Sequence, residues 1–310
     1  MLFERATITG LLLSATVAGA SFHKWQQARL RRLYRRHNLH AYQASLDGGS
    51  LHYWAGGKPG GKPVLLIHGF GADAMWGWAT QVPLAKKWFL LAPDLLWFGK
   101  SHTDIRDYSS VHQAETLVQL LDHLAIDKVD AVGISCGGFV ALEMANGWPD
   151  RLGKVVLVDS PGHTFTLDDY QDLLDRNDID SVSDLVVPGD PTGVRRLIQL
   201  AFHRPPPIPM WVARDIYQNM FSTWKEQKVR LLDDLLQRAA TIDPDDYALQ
   251  HDLMLLWGEH DVLFPPHLAW RLANQLGPRA RVSILPKANH APNLERPMMF
   301  NQRLSAFLDD

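Results

Sequence analysis

What most constrains this chain is a set of six short apolar runs in which hydrophobic residues do not alternate with polar ones. They lie in KPVLLIHGF (62–70), WFLLAPDLL (88–96), KVDAVGIS (128–135), KVVLVDS (154–160), LMLLWGEH (253–260) and RVSILP (281–286). A strand with one wet face alternates, whereas a strand covered on both faces does not. Between most of these runs the apolar residues take up helical spacing. In residues 109–124, for example, Val111, Ala114, Leu117, Val118, Leu121 and Leu124 fall on one face. Unalternating strands separated by helices bury themselves as a mostly parallel, twisted sheet with helices on both faces, so the expected class is α/β. Ahead of them, HAYQASLDGGSLHYWAGG (40–57) reads as two short strands joined at Asp47-Gly48-Gly49.

The alternation stops between about 161 and 250. That stretch, with RPPPIPMW at 204–211 and helical segments on either side, reads as a helical cap inserted over the sheet's C-terminal edge. Open α/β folds place their ligands at that edge. The expected organisation is a leading segment, 1–37, then one domain, 38–310, carrying the cap at about 161–250. The acidic string DRNDID resembles a calcium loop only superficially. It lacks the alternation, the turn glycine and the distal glutamate, and reads as a solvated helix face.

Composition excludes some functions. A net charge of -3 argues against a nucleic-acid partner, which leaves a basic excess. With a single cysteine, Cys136, neither an intramolecular disulfide nor a cysteine-based metal site can form. The leading segment stands apart. Residues 6–22, ATITGLLLSATVAGASF, are uncharged, and Lys24, Arg29, Arg31, Arg32, Arg35 and Arg36 then crowd into thirteen residues. Positive charge after an apolar run holds that flank in the cytoplasm. Seventeen residues reach the lower end of the roughly 17–25 that span a bilayer. Trp25, Leu30, Leu33 and Tyr34, interleaved among the basic residues, also suit an anionic membrane surface. Residues 1–37 are therefore expected to associate the protein with a membrane, with the folded domain in the cytoplasm. Export after cleavage behind Ala18-Gly19-Ala20 is the alternative, with only Arg5 beside Glu4 ahead of the apolar run.

Residues 129–145, VDAVGISCGGFVALEMA, put three glycines and a serine between a buried strand and a helix. Glycine weakens both kinds of element unless the backbone needs positive φ or close approach. Gly133-Ile134-Ser135-Cys136-Gly137 is a G-x-S-x-G turn, which lifts the serine above the sheet in a strained conformation. A serine hydroxyl needs a base, and that base needs an orienting acid. In this arrangement they follow in the order Ser, Asp or Glu, His. Asp261 lies in the loop after LMLLWGEH and His290 in the loop after RVSILP, on the edge where all parallel strands end. Asp159, ending KVVLVDS, is the competing acid; Glu259 and Asp252 fit the loop less well. The two oxyanion donors fall on the backbone N–H groups of Phe70, in His68-Gly69-Phe70-Gly71, and of Cys136. His68 is expected to brace that loop. Cys136 as nucleophile is the minor alternative. No metal or cofactor is expected.

HGFG, PDLLWFGKS, GISCGG, WGEHD and NHAPNLERP, in that order, resemble the α/β-hydrolase superfamily. The resemblance runs from about residue 40 to the C-terminus and is weakest across 161–250. Within it the chain is similar to monoacylglycerol-lipase-like serine hydrolases, some of which carry an N-terminal membrane anchor. The resemblance implies the α/β-hydrolase fold, with Ser135 as nucleophile, Asp261 as acid, His290 as base, and Phe70 and Cys136 as oxyanion donors. Ser135 stands where haloalkane dehalogenases carry Asp, which excludes their chemistry. Cys136 replaces the larger Met, Leu, Tyr or Trp often found there. The expected activity is hydrolysis of carboxylic esters, lipid-like ones in particular, through an acyl-enzyme on Ser135. Phe165, Tyr170, Phe202, Trp211, Tyr217, Met220, Phe221 and Trp224 are aromatic or apolar enough to line an acyl pocket. Two rivals stand: the same triad acting on another bond (C–C hydrolase, thioesterase, amidase or acyltransferase), and a non-catalytic ligand receptor.

Overall fold

The six runs become six strands of one sheet. In the computed structural model, which describes residues 21–241 and 249–310, they are β3 (Pro63–Ile67), β4 (Phe89–Pro93), β6 (Val129–Ile134), β7 (Leu152–Val158), β8 (Leu253–Gly258) and β9 (Ala280–Leu285). All pair in parallel, in the order β4-β3-β6-β7-β8-β9. The hairpin strands β1 (Leu39–Leu46) and β2 (Gly49–Gly57) pair antiparallel, and β2 joins β4 antiparallel. The two-residue β5 (His102–Thr103) borders β2. This is an α/β-hydrolase fold.

The longer helices among the described residues are α1 (Phe22–Arg36), α2 (Ser110–His123), α3 (Cys136–Gly147), α4 (Leu167–Asn177), α5 (Pro191–Ala201), α6 (Met210–Ile216), α7 (Lys225–Thr241), α8 (His267–Leu276) and α9 (Pro297–Asp309). Successive strand residues enter opposite cores, which is why the runs do not alternate. Leu65, Ile67, Ala131, Val155, Leu157, Leu255 and Trp257 pack with α2, α3 and α8. Val64, Leu66, Val132, Val156, Val158, Met254 and Leu256 pack with α1 and α9.

The leading segment divides differently from the sequence reading. Residues 6–20 of the expected anchor lie outside the described residues. From Phe22 onward the chain is α1, N-capped by the Ser21 side chain on the Lys24 amide. Its residues 22, 26, 30 and 34 are buried on one stripe, so the basic segment packs onto the domain instead of standing apart from it at residue 37. Leu30 and Tyr34 join the sheet core, and the Tyr34 hydroxyl donates to the carbonyls of Ala74 (3.1 Å) and Met75 (3.2 Å). Phe22 packs with Val212, Ala213 and Ile216 of α6. No helix among the described residues is long and apolar enough to cross a membrane.

Between β7 and β8 the chain forms α4, α5, α6, a π-helical turn at Tyr217–Phe221, and α7. Helix α4 starts at a capping box in which the Thr166 hydroxyl accepts from the Asp169 amide and the Thr166 amide donates back to the Asp169 carboxylate. The acidic string is a solvated face with an Asp172–Arg176 pair at 2.8 Å.

The chain leaves β3 for β4 on one side, then returns to lay β6 on the other. The crevice outside the carboxyl ends of β3 and β6 is thus the switch point at which open α/β sheets bind ligands. His68-Gly69-Phe70 leaves one of these strands and Ser135 leaves the other.

Candidate active site

Ser135 sits at φ 52°, ψ -122°, between the end of β6 and the first residue of α3. Such a conformation is costly for a residue with a Cβ and persists where its surroundings over-determine it. The neighbouring backbone leaves no room for side chains. A Cβ at Gly133 would lie 2.1 Å from the Gly137 carbonyl oxygen, and one at Gly137 would lie 2.3 Å from that of Ile67. The Ser135 amide donates to the Val158 carbonyl at 2.8 Å, tying the turn to the neighbouring strand. Three glycines, Gly133, Gly137 and Gly138, stand at this join because a Cβ at any of them would meet atoms within 2.1–2.4 Å.

Asp261 and His290 meet. His290 Nδ1 lies 2.9 Å from Asp261 Oδ2, and the Asp261 side chain is fully buried. Asp261 Oδ1 accepts from the amides of Leu263 (2.8 Å) and Phe264 (2.9 Å), so the carboxylate is fixed at both oxygens. With Nδ1 committed, Nε2 of His290 is the nitrogen available to a hydroxyl. Ser135, Asp261 and His290 follow the carboxyl ends of β6, β8 and β9, so all three occupy one sheet edge.

The competing acids are placed as well. Asp252 precedes β8 and lies at the opposite edge. Glu259 is directed at the Lys287 amide (2.9 Å). Asp159 is close: it is fully buried at φ 45°, and its Oδ1 accepts from the Gly258 amide at 2.7 Å. Burial, with the Asp261 charge second, holds its carboxyl well above the usual range, so it faces Asp261 as a neutral acid. Asp159, Asp261 and His290 each offer a ligand atom within 4.8 Å of the others. Asp261 already engages two amides and the imidazole, and Asp159 Oδ1 accepts an amide.

The residues expected on the oxyanion side are placed as follows. Cys136 opens α3, so its amide is among the helix N–H groups without an intrahelical partner. Its buried thiol is pushed upward by desolvation alone, so it stays protonated, and the nucleophile reading of Cys136 loses ground. Fully buried His68 accepts the Leu95 amide at Nε2 (3.0 Å) and donates from Nδ1 to the Gly69 carbonyl (2.8 Å). Burial lowers its pKa, keeping it a neutral brace for the loop that carries Phe70.

Of the residues expected to line an acyl pocket, Phe165 and Phe221 are buried. Trp211 and Trp224 are exposed, at 42% and 41%. Their spacing on short cap helices did not reveal which side faced inward. Phe264 was missed. Its ring lies 5.3 Å from Phe165 and 5.6 Å from His290, making it the aromatic wall beside the imidazole. Asn289 was missed too. Its Oδ1 accepts from the Val262 and His290 amides, and its Nδ2 donates to the Leu200 carbonyl in the cap. Glu295 holds the Asn289 amide (2.7 Å) and the His203 amide (2.8 Å). Between them these two side chains tie the acid loop, the base loop and the cap together.

Comparison with known proteins finds matches over most of the chain. A family profile described as alpha/beta hydrolase fold matches residues 62–297. The 2-hydroxy-6-oxo-2,4-heptadienoate hydrolase of Pseudomonas putida is 28% identical over 255 residues, covering 80% of this chain and 89% of its own. The dihydrolipoyllysine-residue acetyltransferase component of an acetoin cleaving system, also from Pseudomonas putida, is 28% identical over 277 residues, covering 86% of this chain and 68% of its own. Among solved structures, a membrane phospholipase A described as a bacterial virulence factor superposes with a TM-score of 0.79 at 25% identity. That match covers 99% of this chain and 98% of the other.

Proposed function

The chain belongs to the alpha/beta hydrolase fold family, and from that premise we propose that it is a serine hydrolase that cleaves carboxylic esters through an acyl-enzyme on Ser135. The observation that carries this reading is the 2.9 Å His290–Asp261 contact on the edge where Ser135 is held at φ 52°. His290 takes the Ser135 proton as Oγ attacks the carbonyl, then gives it to the departing alcohol. Asp261 holds the imidazole with Nδ1 protonated and supports its positive charge. The N–H groups of Phe70 and Cys136 receive the negative oxygen of the tetrahedral intermediate. Water, deprotonated by His290, releases the acid and restores the hydroxyl. A lipid-like acyl chain fits the apolar wall of Phe139, Phe165 and Phe264 beside His290.

The test is labelling by a fluorophosphonate, together with turnover of p-nitrophenyl esters of increasing chain length. Labelling and turnover that vanish in Ser135→Ala support the proposal. A folded protein that takes no label would point to a ligand receptor on the same fold. A second reading has its own support, the similarity to a hydrolase of 2-hydroxy-6-oxo-2,4-heptadienoate, a C–C bond substrate. Labelling without turnover of any ester, but with loss of the dienoate absorbance, would favour that reaction.

The same surface that carries α1 supports a membrane contact. The outward face of α1 presents Lys24, Arg29, Arg32 and Arg36 with no acidic residue in the helix. Trp25 and Trp211, both exposed, flank Phe22 at 6.1 and 6.4 Å. Cationic side chains beside exposed indole rings suit the interface of an anionic bilayer.

A further inference from the structure

Beside the oxyanion loop lies a cavity of about 310 Å³ that the reaction scheme leaves unused. Arg31 and Arg35 of α1, Phe70 of the oxyanion loop, Lys100 after β4 and Lys228 of α7 all line it. Four of these five are cations drawn from three distant parts of the chain. The two carboxylates in its wall do not balance them. Asp94 is engaged by His52 Nδ1 (2.8 Å) and by the amides of Ala74 (3.0 Å) and Lys100 (3.2 Å). The Asp73 carboxyl is pushed up to about 7 by burial, with the Asp94 charge second, so near neutrality much of it carries a proton.

Lys228 is the informative member. It is 3% exposed, and its ammonium is held by the carbonyls of Met220 (3.0 Å) and Thr223 (3.2 Å) and by the ring faces of Phe98 and Phe221. The Met220 carbonyl belongs to the π-helical turn Tyr217–Phe221 and the Thr223 carbonyl directly precedes Trp224 at φ 58°, two uncommon backbone shapes close together. Irregular backbone of this kind concentrates at functional sites. None of the ion pairs among the described residues includes Lys228, Arg31 or Arg35. A buried cation is ordinarily matched by an anion, because desolvating it alone is costly. Here burial pulls the ammonium down to about 8, and an anion entering the cavity would offset that cost.

We propose that this cavity binds the phosphate or carboxylate end of an anionic ester substrate, with Lys228 as the buried contact and Arg31 and Arg35 at the more exposed side. The proposal rests on the ester-hydrolase reading and narrows it to esters that carry a negative group.

The full-length protein is assayed with two pairs of esters matched in length: 1-octanoylglycerol 3-phosphate against 1-octanoylglycerol, and mono-4-nitrophenyl succinate against 4-nitrophenyl butyrate. Independently of turnover, inorganic phosphate is titrated into Ser135→Ala protein and followed by thermal shift. The wild type should favour the anionic member of at least one pair by about tenfold in kcat/KM. That ratio should fall toward one in Lys228→Met, and at least about threefold in Arg35→Gln, whose exposed side chain is not needed for folding. Phosphate should raise the melting temperature, and less so once Lys228→Met is added. A ratio of one or less in both pairs, with no response to phosphate, overturns the site. Phosphate binding without any preference assigns the cavity to a free anion and overturns its role toward the substrate. Failure to turn over any ester, with phosphate still bound, leaves the anion site standing and overturns the ester reading instead.

Discussion

Asp159 and Asp73 are carboxyl groups that the fold buries among other acids, and their chemistry is set by that company. Asp159 donates no charge to His290, because it is neutral beside Asp261. Asparagine reproduces both its hydrogen-bonding ends, so Asp159→Asn should keep kcat within about threefold. Asp159→Ala leaves the Gly258 amide unpaired and should lower stability by about 1–3 kcal/mol, read by denaturant titration. Asp73 gives a pH signature. Unfolded, it releases its proton near 3.8; folded, near 7. Between those values folding takes up a proton, so wild-type stability falls as pH rises, and the loss is complete above the folded value. Asp73→Asn keeps an acceptor for the Trp76 amide, which Asp73 Oδ1 receives at 2.9 Å, but cannot ionise. Its melting temperature should therefore gain on the wild type steadily from about pH 4 to 7 and level off beyond. Ser135→Ala, by contrast, should leave melting nearly unchanged while lowering kcat by about 10⁴ or more. The residues that announce themselves in sequence are those whose side chains the proposed reaction uses. That Ser135, Asp261 and His290 share one sheet edge was legible from the order of loops after parallel strands. Asn289 and Glu295 were not, because they act through backbone amides that any sequence supplies.

Among elements, the strands were the most readable, since a strand buried on both faces has little compositional freedom. Helix α1 was the least. Its buried stripe of Phe22, Gln26, Leu30 and Tyr34 has the i, i+4 spacing of any amphipathic helix. Spacing fixes that one face is covered, but not whether lipid or protein covers it. In this structure the sheet core and the cap do. Leu30→Ala should cost about 2–4 kcal/mol, and a chain starting at residue 38 should melt lower than one that retains α1, as followed by circular dichroism. An equally stable, equally active shortened chain would show that α1 is an appendage. The cap aromatics illustrate the same limit: Phe165 and Trp211 were equivalent in sequence, yet one packs against Phe264 and the other meets solvent.

At the scale of the whole molecule, the basic face of α1 and the Trp25–Trp211 pair lie together, and the membrane contact is testable there. The full-length protein should float with vesicles rich in phosphatidylglycerol and much less with phosphatidylcholine alone. Reversing Arg29, Arg32 and Arg36 to Glu should weaken binding to the anionic vesicles by tenfold or more, since each basic residue near such a surface contributes about 1 kcal/mol. Unaltered flotation of that variant would remove α1 from the contact. The tethers between α1 and the cap have one more consequence. Asp215 of α6 grips the Ser21 hydroxyl (2.8 Å) and the His23 amide (2.6 Å), while Glu295 and Asn289 fasten the chain at Leu200 and His203. These contacts fasten the cap to the domain at two separate corners. Met220 of the π-helical turn lines the cavity that reaches Phe70 of the oxyanion loop, so bulk added there should slow turnover of long substrates before it slows that of short ones.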